Sequence, residues 1–181
     1  MFDDILSTDT RKVELTVEEV AGNPDAFVVR GHEARLGRVV TNLLDNAISF
    51  SPELGVVRVV ARRVGPEIEL VVDDDGPGIP ADKLEDVFKR FYSDRPQTDR
   101  TIGKNSGLGL SITREIVQAY GGRMWASNRQ TAPGAETFAL DEQAELRERR
   151  VAGVAGARFT VRLPAAEATP SRGAPSLVRR G

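Results

Sequence analysis

Apolar residues alternate with polar ones at Val13, Leu15 and Val17, which predicts a first strand at the edge of a sheet after a polar, aperiodic lead-in over residues 1–11. Asn23-Pro24-Asp25 marks a turn, residues 26–29 read as a short second strand, and Gly31 ends it. The period then changes. Leu36, Val39, Val40, Leu43, Leu44, Ala47 and Ile48 follow the three-four spacing of an apolar stripe, so residues 33–49 are predicted to form a helix facing a core. Pro52 and Gly55 break that pattern. Val57, Val59 and Ala61 alternate with Arg58, Val60 and Arg62 up to the turn Gly65-Pro66, and Ile68, Leu70 and Val72 alternate beyond it. The two runs predict an antiparallel hairpin whose far end carries Asp73, Asp74 and Asp75.

Residues 81–91 have the pattern of a short amphipathic helix, whereas 92–106 carry charges of both signs with no periodicity and read as a long loop. Helical spacing resumes over 107–120 through Leu108, Ile112, Ile116 and Tyr120, and Gly121-Gly122 supplies the stop. A strand is expected at 123–127 and a closing strand at Phe159, Val161 and Leu163. Between them, about 128–156 reads as a surface insertion whose charged, helix-prone run at 140–150 is either a solvated face or a docking face. From Pro164 the composition turns to Pro, Ala, Ser and Arg, which predicts a disordered tail. The expected architecture over 12–163 is α/β: a two-layer sandwich with a mixed sheet of about five strands, covered on one face by three helices.

A chain of 181 residues with 40% apolar side chains can bury one ordinary core. Its net charge of -2, with 29% charged residues, gives no general electrostatic reason to expect nucleic acid or an anionic membrane as partner. No apolar run approaches the roughly 20 residues that span a bilayer, and the start has no basic segment followed by an apolar one, so a soluble, untargeted chain is expected. The absence of cysteine excludes disulfides, thiol nucleophiles and zinc-thiolate sites, and the single His32 leaves little for a histidine-based metal site or triad. The chemistry must use carboxylates, amides, glycines and cations.

Three features carry it. Ile68, Leu70 and Val72 face the core, Asp74 continues that parity, and Asp73 and Asp75 point the other way. An inward carboxylate needs hydrogen-bond donors, and Gly76 and Gly78 let the chain approach them, although a solvated acidic turn uses the same residues. Asn42 and Asn46 lie one turn apart on a helix flank and can offer oxygens to one hard cation; magnesium is the candidate, completing its shell with water and substrate phosphates. The cluster Gly103-Lys104-Asn105-Ser106-Gly107-Leu108-Gly109-Leu110 enters a helix, exposing N–H groups and the positive dipole end to an anion, though a plain loop glycine cluster reads alike. Their order is more specific than any one of them.

In that order the motifs resemble those of the ATP-binding catalytic domains of two-component sensor histidine kinases, with the Bergerat fold shared by gyrase, Hsp90 and MutL. Residues 35–47 are similar to the family's N box, 74–80 to its G1 box, 88–92 to its F box and 107–110 to its G2 box, within a match over about 13–163. The resemblance implies that Asp74 accepts from the adenine amino group, that Asn46 and Asn42 are the catalytic amides holding magnesium, and that 92–106 is an ATP lid. It further implies nucleotide contacts from Gly76, Gly78, Ile79, Phe91, Tyr92, Arg95, Lys104, Gly107, Leu108, Gly109 and Leu110. The implied activity is transfer of the γ-phosphoryl group of Mg-ATP to a histidine on a separate helical dimerisation domain. A response regulator would act downstream, and the domain would sit at the cytosolic end of a membrane-anchored kinase. A carboxylate can accept from the exocyclic amine of adenine but would face the oxygen of guanine, so ATP is expected over GTP.

The departures from the family pattern carry information too. ATP-hydrolysing relatives place a glutamate general base at the position of Asn42, and an amide cannot take that proton. This disfavours two alternatives, an ATPase switch and a serine or threonine kinase of the anti-sigma type, and the retained boxes disfavour a third, a non-enzymatic scaffold whose site has decayed. Ser49 stands where many members place a phosphate-reaching lysine, which makes Arg90, Arg95 and Lys104 the candidate cations. His32-Glu33 superficially resembles the phosphoacceptor pair but sits in the turn before the N box, so a structural role is expected and the acceptor belongs to a partner domain. Ser49 and residues 91–96 are similar to the membrane-bound sensor kinases of alphaproteobacteria that govern envelope and exopolysaccharide responses.

Overall fold

The computed structural model describes residues 12–17, 26–92, 107–130 and 153–166. Its strands are β1 (Lys12–Val17), β2 (Val56–Val64), β3 (Glu67–Asp73), β4 (Arg123–Gln130) and β5 (Val154–Pro164). They form one mixed sheet in the order β1-β2-β3-β5-β4, with β1 parallel to β2 and the other neighbours antiparallel. The expected lead-in, the Asn23-Pro24-Asp25 turn, Arg95, Lys104, the run at 140–150 and the tail beyond 166 lie outside the described residues.

Register explains why one face of this sheet is apolar and the other ionic. Leu15, Val59, Val72, Phe159 and Ala126 form one row across all five strands, and Val59, Val72 and Phe159 in its middle are buried. On the opposite side two rows alternate in charge, Arg58, Asp73 and Arg158 in one and Arg62, Glu69 and Arg162 in the other, with the uncharged row Val60, Val71 and Thr160 between them. Asp73 takes two hydrogen bonds from Arg158, both 2.7 Å, and Glu69, buried, is held between Arg62 and Arg162. Buried carboxylates on a strand are tolerable there because each has a guanidinium beside it.

Two α-helices cover the apolar face. In α1 (Glu33–Phe50) the stripe Val39, Leu43, Leu44, Ala47 and Ile48 is buried, as the spacing predicts, and packs with Val57, Val59, Val72, Phe159 and Val161. In α2 (Gly109–Ala119) the buried line is Ser111, Thr113 and Val117 rather than Ile112, Ile116 and Tyr120. Leu110 and Ile116 pack against the core beside that line, and within it the Thr113 hydroxyl donates to the Gly109 carbonyl and accepts from Asn42.

Three expectations are corrected. Residues 81–91 form no amphipathic α-helix; the third helical piece is two successive 3-10 turns, Ala81–Lys83 and Asp86–Phe88, of which Phe88 alone is buried, edge-on to Phe159 at 6.3 Å between centroids. Neither turn has a side-chain cap, and extended backbone at Lys89 ends the second. Residues 26–29 hold a turn and a single bridge, Val29 to Ala165, instead of a strand. The strands also run into both ends of the expected insertion, since β4 continues to Gln130 and β5 starts at Val154.

Candidate nucleotide site

Asp74 follows the last residue of β3 and is 2% exposed. Its Oδ1 accepts from the Gly76 N–H and the Ala157 N–H, each at 2.9 Å. No buried side-chain oxygen or nitrogen among the described residues lacks a partner, and Oδ2 accepts from no described group, so Oδ2 is the oxygen that keeps access to a ligand. Burial pushes the carboxyl up to about 6, against the opposing pull of the two N–H donors and of Arg129. Asp75 is different: burial raises it too, but Arg129, the Val56 N–H and Arg58 together hold it below the usual carboxylate range.

The glycines are required by contact. A Cβ on Gly76 would lie 2.8 Å from the Phe50 carbonyl oxygen at the end of α1, and one on Gly78 would lie 2.5 Å from Val154 Cγ1. Gly156, with a φ of 147°, passes so close beneath the Asp74 carbonyl that a Cβ would be 1.9 Å from its oxygen. That proximity lets the Ala157 N–H reach Oδ1. Ile79 is buried, and its N–H and C=O pair with the side chain of Asn128 at 2.8 and 2.6 Å.

Asn42 marks the other end. Its amide nitrogen donates to the Gly109 carbonyl and to Thr113 Oγ1, both at 3.1 Å, while the Thr113 hydroxyl donates to the same carbonyl at 2.8 Å. A carbonyl cannot donate, so the partner fixes which end of the amide is nitrogen, and the Asn42 oxygen is the group left to face outward. Asn46, one turn on, is partly buried and makes no side-chain hydrogen bond among the described residues. Two amide oxygens with one orientation locked are a donor set that suits a hard cation. No described side chain caps the start of α2, so the first N–H groups of Gly109 and Leu110 stay available beside Asn42. Along α1, the eight residues from Asn42 to Phe50 separate this phosphate-suited end from the carboxylate turn by roughly 12 Å.

The base of the expected lid is closed by backbone contacts. The Phe91 N–H donates to the Gly107 carbonyl at 3.0 Å, and Gly107, with a φ of 68°, lies against the Phe91 and Tyr92 backbone. Phe91 itself has a φ of 63° and is 75% exposed. Leu108 and Leu110 are partly buried at the start of α2. Arg90 pairs with Glu115 at 2.7 Å, an exposed and therefore weak ion pair. The Ser49 hydroxyl donates to the Asn46 carbonyl. His32 precedes α1, is exposed, and donates its backbone N–H to the Tyr120 hydroxyl. Spacing could not reveal Thr113, Asn128, Arg129, Gly156 or Ala157, because strand and helix pairing distant in sequence brings each to the site; a glycine inside a strand pattern was the one local signal.

The model of the histidine kinase-, DNA gyrase B-, and HSP90-like ATPase family matches residues 31–167. The chain belongs to that family. Sensor protein ChvG of Agrobacterium fabrum is 40% identical over 156 residues, covering 86% of the chain and 23% of the relative. The signal transduction histidine-protein kinase/phosphatase MprB of Mycobacterium leprae is 44% identical over 109 residues, covering 60% and 20%. Among solved structures, a mycobacterial sensor histidine kinase MprB superposes with a TM-score of 0.60 at 29% identity, covering 88% of this chain and 85% of that one. The resemblance to sensor histidine kinases, and to alphaproteobacterial ones, is therefore homology to their ATP-binding region. The chain spans less than a quarter of the length of these curated relatives.

Proposed function

We propose that the chain binds Mg-ATP and positions its γ-phosphoryl group for transfer to a histidine on a separate helical dimerisation domain, with a response regulator as the eventual acceptor. The single observation that carries this is the division of labour at Asp74, whose Oδ1 is filled by two backbone donors while Oδ2 remains for the adenine amine. Gly76, Gly78 and Ile79 shape the turn around the base. The uncapped start of α2, from Gly107 through Leu108 and Gly109 to Leu110, takes the phosphates on N–H groups and the helix dipole. Phe91 and Tyr92 carry the lid base, and Arg90, Arg95 and Lys104 are the candidates for the charge that Ser49 does not supply. Asn42 and Asn46 are the residues that would hold magnesium, which when bound neutralises phosphate oxygens. Thr113 keeps the Asn42 oxygen turned outward. No carboxylate stands at position 42 to activate water, so the site favours positioning for transfer over hydrolysis. Among the described residues no helix is long and apolar enough to cross a membrane; attachment to a membrane-anchored sensor, with this domain on the cytosolic side, belongs to the same proposal.

Titrating ATP and GTP into the purified chain and its Asp74→Asn variant tests the reading. Loss of a hydrogen bond to a charged group costs about 1.5–3 kcal/mol, so the variant should bind ATP at least about tenfold more weakly. Unchanged ATP affinity would remove Asp74 from the site.

A further inference from the structure

Two consecutive residues at the end of β4 hold the carboxylate turn from opposite sides of the sheet. Side chains alternate along a strand, so Asn128, opposite Ala157, lies on the helix-covered face, and Arg129, opposite Gly156, lies on the ionic face. Asn128 closes a two-way pair with the Ile79 backbone, standing in for a strand neighbour where the turn has left the sheet. Its Oδ1 would lie 3.1 Å from a Cβ on Gly78, so the side chain also fills the space that this glycine leaves. Arg129, one-fifth exposed, reaches three successive residues: one nitrogen donates to the Asp74 carbonyl and to Asp75 Oδ1, both at 2.7 Å, and Nε lies 3.6 Å from Asp73 Oδ2. One clamp therefore holds the start of the turn and the other its end.

We propose that Asn128 and Arg129 are positioning residues for base recognition, fixing the 74–79 turn so that Asp74 Oδ2 is aimed at the exocyclic amine of adenine. Neither needs to touch the nucleotide. The inference rests on the reading of Asp74 as the base acceptor. Its consequence is selective: loosening either clamp weakens the contact that distinguishes adenine from guanine and leaves the phosphate end, built from Asn42 and the start of α2, as it was.

The test titrates ATP and GTP separately into the wild-type chain, Asn128→Ala, Arg129→Ala, Asp74→Asn and the double variant Asn128→Ala/Asp74→Asn, with thermal unfolding to establish that each is folded. Arg129→Lys replaces Arg129→Ala if the latter does not fold, since one ammonium cannot span the same three residues. Each clamp variant should lose about tenfold in ATP affinity, the size expected of one charged hydrogen bond, while GTP affinity hardly moves, so that the ATP-to-GTP ratio falls with it. In the Asp74→Asn background, Asn128→Ala should change the ratio no further. Folded clamp variants with the wild-type ratio, an equal loss for both nucleotides, or a full additional loss in the double variant would each overturn the proposal. Should Asp74→Asn itself leave the ratio unchanged, the underlying reading of Asp74 falls instead.

Discussion

Burial pushes the Asp74 carboxyl up to about 6, while the same group in an unfolded chain titrates near about 3.9. The folded protein therefore holds that proton more tightly, and the stability this one group contributes is fully present below pH ~4 and is lost as pH rises through about 6, whereas Asp75 and Glu69, both held low, contribute in the opposite sense. At neutral pH the ionised form costs roughly 3 kcal/mol relative to the protonated one. Carboxylates perturbed in this way by burial cluster at functional sites, which agrees with the proposed role of Asp74. Asp74→Asn keeps an oxygen for the Gly76 and Ala157 N–H groups and removes the charge. It should therefore raise stability at pH 7.5 by up to roughly 3 kcal/mol, with the gain shrinking towards nothing near pH 4. Urea unfolding at the two pH values measures it, and a variant less stable than wild type at pH 7.5 would contradict the assignment of burial as the cause.

At the scale of elements, the contact between α1 and α2 is where one hydroxyl joins two motifs. Thr113 is fully buried and bonds both the Gly109 carbonyl and Asn42. Thr113→Val keeps the shape and removes those bonds, so Mg-ATP affinity should fall by about two- to tenfold, the size of one or two ordinary hydrogen bonds, and Thr113→Ser should restore it. Titration calorimetry on the three proteins checks this; equal affinities would leave Asn42 oriented by something else. The helix α1, the β2–β3 hairpin and the glycine-started α2 were legible in the sequence, because each writes its period locally: the stripe from Val39 to Ile48, the alternation from Val57 to Val72, the stop at Gly121. Asp74 was legible by parity alone. The clamps on it were not, because Asn128 and Arg129 acquire meaning only through β4–β5 pairing, and short-range pattern reads them as the start of a polar loop. Residues 81–91 misled for a related reason: an apolar spacing of three to four suits a 3-10 pair as well as an α-helix when only two turns are available.

Taken whole, the molecule divides its charges. The sheet's outer face spends arginines on buried and half-buried carboxylates, with Arg158 on Asp73, Arg62 and Arg162 on Glu69, and Arg123 on Glu67. The helix-covered face carries the amides, the glycines and the raised carboxylate. On the proposed reading such a domain binds a nucleotide and aims it; its one histidine lies in the turn before α1, with its backbone N–H on the Tyr120 hydroxyl. The proposed acceptor is a histidine of another domain, and the chain spans less than a quarter of its sensor relatives. The most direct measurement incubates this chain with magnesium and γ-labelled ATP beside a separately expressed, histidine-bearing helical hairpin. Label is expected on the hairpin's histidine, lost when that histidine is replaced and strongly reduced with Asp74→Asn. Release of labelled phosphate with none on the hairpin would contradict it and make the domain an ATPase.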